Sequence, residues 1–219
     1  MINIERPIVF HGNSRSLVVF SFFQVVSCVL HFAVKENVRL FIVRVDLRFP
    51  QRAQRGQISD GVIMGRFIKS LRTKILAQRN RVRKKYGTAQ FTRVRCVWVR
   101  ELGPKGSFSH YHAMLVFNRD AYRVLEDFQS NDDNLARCIQ RAWASALGVD
   151  FDNHRSLASF SRNGQYQIIN GHGLDEVMCD MMHLNNTFSK AWDGARNIGY
   201  SLAREDLLTH RCSIQCLHA

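Results

Sequence analysis

The sequence predicts an α+β fold, a central antiparallel sheet that carries a His-x-His strand and is flanked by helices. Residues 93–101 alternate along the chain, residues 109–117 return as a strand with two histidines ahead of an apolar run, and Leu102-Gly103-Pro104-Lys105-Gly106 between them has the composition of a turn. Residues 60–86 and 135–147 instead repeat apolar side chains every three or four positions. A hairpin without alternating crossover helices favours α+β over a doubly wound parallel sheet. The 219 residues suit one domain with an appendage, and 46% hydrophobic residues provide for a core and exclude wholesale disorder.

Taken in order, residues 17–34 are apolar, but Ser21, Gln24, Ser27 or Cys28, His31 and Lys35 recur at helical spacing. That polar stripe favours a helix laid on the core over a membrane span or a signal peptide, and no small-residue cleavage site follows. Residues 38–49 read as a strand ended by Pro50, with Arg44, Asp46 and Arg48 sharing one polar face. Asp60 is placed to cap a helix whose seam is Ile63, Phe67, Leu71 and Ile75, and Gly87 closes it. The two strands of the expected hairpin follow. Asp120 would cap a helix over residues 121–128, and Leu135, Ile139, Trp143 and Leu147 form the seam of the next, ending at Gly148. Residues 157–161 and 165–169 suggest short strands around an Asn163-Gly164 hairpin turn. A helix from Leu174 to about Lys190 comes next, and the chain beyond Gly199 reads as a tail. Residues 1–37 thus form an apolar helical segment, 38–201 the sheet-bearing domain and 202–219 the terminal tail.

Charge is unevenly spread. Residues 39–100 hold 17 Lys or Arg against Asp46 and Asp60, whereas the rest of the chain is close to neutral. An excess confined to one stretch builds a directed field that suits a polyanion such as nucleic acid. Arg44 and Arg48 on the strand, with Arg66, Lys69, Arg72 and Lys74 on the helix, are the expected DNA contacts. The six cysteines show no compact disulfide spacing, which points to a reducing cytoplasm. His210, Cys212, Cys216 and His218 match no common zinc spacing.

His110 and His112 stand two apart at the head of an apolar strand, so both imidazoles project from one face. Imidazole is a common metal ligand, and two on one rigid strand form half a site. In an antiparallel hairpin Glu101 falls near His110, which would add a carboxylate from the neighbouring strand. Manganese or magnesium is the expected ion, manganese having the better tolerance of imidazole.

VRVDLRFP (from Val43), GRFIKSLRTKI (from Gly65), VWVRE (from Val97), HYHAMLVFNRDAY (from His110) and AWASALGVDF (from Ala142) together resemble the inovirus gene-II-type replication proteins. These are also catalogued in bacterial chromosomes as the YagK/YfjJ C-terminal family. The resemblance runs from about Val38 to about Ser201. It implies an HUH-endonuclease-like domain that nicks and joins single-stranded phage or plasmid origin DNA through a tyrosine, with His110, His112 and Glu101 on a divalent metal. Relatives carry Tyr-x-x-Lys on a late helix, where His183 and Asn186 stand here, so Tyr200, which follows Gly199, is the tyrosine proposed as nucleophile. Without a nucleophile the same scaffold would be a DNA-binding protein only.

Overall fold

The computed structural model describes residues 8–10, 18–20, 22–50, 60–101, 110–125, 133–186 and 197–202. Strands β1 (Ile8–Phe10) and β2 (Val18–Phe20) pair with each other, and helix α1 (Phe22–Glu36) follows. Then come β3 (Arg39–Leu47), α2 (Asp60–Tyr86), β4 (Arg95–Glu101), β5 (His110–Asn118), α3 (Leu135–Leu147), β6 (Ala158–Ile169), α4 (Leu174–Asn186) and β7 (Ile198–Tyr200). The main sheet has the order β6-β3-β5-β4-β7, every neighbour antiparallel, with the His-x-His strand in the middle. The fold is α+β.

Helices cover both faces of this sheet, and strand alternation assigns each side chain to one of them. On the first face, Phe41, Val43, Val45 and Leu47 of β3 and Tyr111, Ala113, Leu115 and Phe117 of β5 pack against α2 and α3. The predicted seam Ile63, Phe67, Leu71 and Ile75 is buried there. Trp143 of α3 is fully buried, stacks edge-on to Phe67 and donates its indole N–H to the Arg48 carbonyl at 2.7 Å. Asn134 caps α3 by accepting from the Arg137 backbone N–H at 2.8 Å, and the helix stops at Gly148, whose φ is 70°. On the second face, Leu40, Ile42, Val97, Val99, Met114 and Val116 pack against α1 and α4.

Several expectations are corrected. Residues 18–20 form β2, so the first helix begins at Phe22; of its expected polar stripe, Cys28 is buried while Phe23 is exposed. Residues 121–125 are not helical. The Asn118 carbonyl accepts from the N–H of both Ala121 and Tyr122, Asp120 pairs with Arg39, and Tyr122 turns inward onto Phe117. Side-chain partners inside the sheet outcompete the local helix signal. Asn163-Gly164 makes no hairpin either. Both halves of β6 add to the same edge of β3, with Phe160 opposite Val45 and Gln165 opposite Val43, and residues 161–164 bulge between them. Gly164 permits that bulge, since a Cβ on it would lie 3.0 Å from the Arg44 Cβ and 3.1 Å from that of Ser161. Finally, Tyr200 lies in β7 rather than in a tail. Gly199 rests directly on Trp98, where a Cβ would come within 2.2 Å of the indole ring.

Among the described residues no helix is long and apolar enough to cross a membrane. Cys28, Cys96, Cys138 and Cys179 are free thiols, while His210, Cys212, Cys216 and His218 lie outside the described residues.

Candidate metal centre

At the end of the sheet where β3 and β4 finish and β5 begins, three strands bring polar side chains to the second face. The β4–β5 register sets Glu101 opposite His110, as the hairpin argument expects. The β3–β5 register sets Asp46 opposite His112. Alternation puts all four side chains on the face that carries Val99 and Met114.

Their polar atoms converge. Glu101 Oε2 lies 2.7 Å from His110 Nε2 and 3.1 Å from His112 Nε2, and the two rings are 5.1 Å apart. One ligand atom from each of Glu101, His110 and His112 lies within 4.8 Å of the others. Ions that accept imidazole and carboxylate bind at ~2.0–2.2 Å, which sets ligand atoms roughly 3–4 Å apart. Two imidazoles and a carboxylate at this spacing therefore fit a divalent ion. His110 and Glu101 are about a quarter exposed and His112 only 11%, so the cluster has a solvent-facing side and a fixed base.

Asp46 supplies that base. Its Oδ1 is 2.6 Å from His112 Nδ1, while Nε2 of the same ring faces Glu101 at 3.1 Å; with Asp46 accepting from Nδ1–H, Nε2 is the nitrogen left for a metal. Burial works to raise the Asp46 carboxyl, but the His112 hydrogen bond and the charges of His112, Arg44 and Arg48 outweigh it and hold the group below the ordinary carboxylate value. Sequence reading placed Asp46 on a polar face without assigning it a role; its signal was a lone acid between Arg44 and Arg48 on that face.

A second polar group adjoins this one. Arg44, two residues before Asp46 on the same face, donates to Asp180 of α4 at 3.0 Å. Tyr166 of β6 donates its hydroxyl to the other oxygen of Asp180 at 2.7 Å. Burial and Asp180 raise the Tyr166 phenol above its ordinary value. The group ties α4 to the sheet beside the candidate ligands, and Asp180 had no signal in sequence beyond its helical spacing from Val177.

The other expected site residues are dispersed. Arg44 faces Asp180, and Arg48 is exposed just past the end of β3. Arg66, Lys69 and Arg72 are exposed on α2, with Lys74 half-buried, and α2 packs on the sheet face opposite the histidines. Tyr200 shares the histidine face but opposes Val97, four residues back along β4 from Glu101. At ~3.3 Å per residue that is about 13 Å along the sheet. Tyr111 and Tyr122 belong to the opposite core. Of the late helix, His183 and Asn186 fall within α4.

Known proteins bear on this arrangement. No solved structure matches the chain. It is 33% identical over 177 residues to the Escherichia coli K12 protein YagK, covering 74% of this chain and 83% of that relative. To YfjJ of the same organism it is 30% identical over 184 residues, covering 77% of this chain and 88% of YfjJ. The profile of the YagK/YfjJ C-terminal domain matches residues 11–201, a span that takes in α1, every strand of the main sheet and all four clustered residues. The chain belongs to the YagK/YfjJ C-terminal domain family.

Proposed function

We propose that the protein is a metal-dependent, single-strand DNA nicking and joining protein of the replication-initiator type, of phage or prophage origin. Its divalent ion, manganese or magnesium, would be held by Glu101, His110 and His112. One observation carries the reading, the convergence of two imidazole nitrogens and a carboxylate oxygen at the end of a rigid sheet. The resemblance of VWVRE and HYHAMLVFNRDAY to inovirus gene-II-type and HUH proteins supports it. Manganese suits the mixed donor set better than magnesium.

Held by Glu101, His110 and His112, a divalent ion would supply polarisation of a phosphodiester oxygen and offset of the charge that develops there. The remaining work falls to the chain. Asp46 keeps His112 in one tautomer, the β4–β5 ladder fixes the distance from Glu101 to both rings, and the basic surface raises the local concentration of a polyanion. Tyr200 would reach a phosphate at the cluster only if β7 left β4.

DNA binding without cleavage is the second reading, and one observation favours it. Tyr166 is tied to Asp180, Tyr111 and Tyr122 face the other core, and Tyr200 opposes Val97. Incubation with single-stranded oligonucleotides and manganese, followed by mass mapping, separates the two. A phosphotyrosine adduct on Tyr200 supports nicking by that residue, and an adduct on another side chain supports nicking with a different nucleophile. Binding with neither adduct nor cleavage, across a pool of random sequences, selects the second reading.

A further inference from the structure

The sheet face opposite the metal cluster carries two cavities side by side along α2. The first, about 470 Å³, has an apolar floor of Met64, Ile68 and Trp98, Lys69, Arg72 and Thr73 at its polar wall, and Tyr200 and Ser201 of the β7 edge at its rim. The second, about 270 Å³, is bordered by Ile75, Leu76, Phe91 and Val94, with Arg79 and Arg93. Arg72 lines both and divides them. Phe91 is 71% exposed and Leu76 54%, so a large aromatic ring stands in water among guanidinium groups.

The charges here differ in availability. Arg93 pairs with Glu36 at 2.9 Å, and Arg79 donates to the Ala121 carbonyl and lies over the Tyr122 ring. Among the described residues Arg72 donates only to the Val94 carbonyl, at 3.3 Å, and neither Lys69 nor Arg72 has an acidic partner. Cations alternating with apolar and aromatic walls match the repeating unit of a single strand, in which an anionic phosphate alternates with a flat base. A duplex offers phosphates but keeps its base faces stacked inside.

We propose that this groove is a binding track for single-stranded nucleic acid, with bases received by the two cavities, one of them against Phe91, and the phosphate between them at Arg72 and Lys69. It rests on the DNA-binding reading above for its class of ligand. It is independent of the metal, since the sheet lies between the groove and Glu101, His110 and His112 and no residue is shared.

The test is fluorescence anisotropy of a labelled oligothymidylate of about twelve nucleotides against the full chain, in EDTA so that metal plays no part. Phe91→Ala removes an exposed ring and should weaken binding about tenfold. Gly65→Leu projects a side chain into the first cavity from a helical position where a Cβ meets nothing within 4 Å, and it replaces a poor helix former with a good one. Affinity should fall while the melting temperature holds or rises. Lys69→Gln with Arg72→Gln removes the cations from the one phosphate between the cavities and should lower the log–log salt slope by about 0.7. Wild-type affinity in Phe91→Ala and Gly65→Leu overturns the track and leaves the DNA-binding reading standing. A duplex bound as tightly as the single strand also overturns it. No binding by the wild-type chain at low salt overturns both.

Discussion

The Nδ1 of His112 lies 2.6 Å from Oδ1 of Asp46, and this contact between β5 and β3 decides which nitrogen of His112 faces Glu101. Carboxylates behind ligand imidazoles typically contribute 10–100-fold in metal affinity. Asp46→Ala is therefore expected to weaken manganese binding by about that factor, and Asp46→Asn, which retains an acceptor for Nδ1–H, to restore part of it. Competition against a metal-sensitive dye measures the constants. Full affinity in Asp46→Ala would remove Asp46 from the site.

Gly199 bears on the stability of β7. A methyl group there would press into Trp98, itself packed edge-on to Tyr111 at 5.5 Å in the core. Gly199→Ala should destabilise the fold by about 1–3 kcal/mol, the range for overpacking against a rigid neighbour. Urea unfolding gives the value, and hydrogen exchange should show the β4–β7 amides opening first.

Acid stability should depend on Glu36 at the end of α1. Its carboxylate receives Arg95 at 2.7 Å and Arg93 at 2.9 Å. Burial alone would raise the carboxyl, but the two guanidinium groups outweigh it and hold the folded value below the ordinary 4.5. A depressed carboxyl stabilises the fold fully above its unfolded value, and that contribution disappears as pH falls through the lower, folded one. Glu36→Gln should cost about 1–3 kcal/mol at neutral pH, because it leaves the buried Arg95 without its charge partner. The difference from wild type should shrink in acid, as measured by denaturant unfolding at stepped pH. A difference independent of pH would assign the loss to packing.

Much of the metal centre is legible in sequence because its geometry is local. His110 and His112 share a face through the two-residue period of a strand, and antiparallel pairing of β4 with β5, strands adjacent in sequence, sets Glu101 opposite His110. Asp46 arrives through β3, more than sixty residues upstream, and no local pattern reveals which strand neighbours β5. The same limit separates the basic groups. The seam of α2 is plain in the spacing of Ile63, Phe67, Leu71 and Ile75, yet nothing local tells on which side of the sheet that seam docks. Arg44 and Lys69 accordingly read as one surface and fold onto opposite faces. Asn163-Gly164 is a hairpin signal by composition, but Gly164 is needed for its closeness to Arg44, a contact with another strand.

Calorimetric titration of manganese into the wild-type chain and into His110→Ala, His112→Ala and Glu101→Ala tests the central claim most directly, with thermal melts confirming that each variant folds. The account predicts saturable binding by the wild type and loss of most of it in each variant, because the three ligand atoms stand within 4.8 Å of one another. Undiminished affinity in either histidine variant would contradict it and put the metal elsewhere.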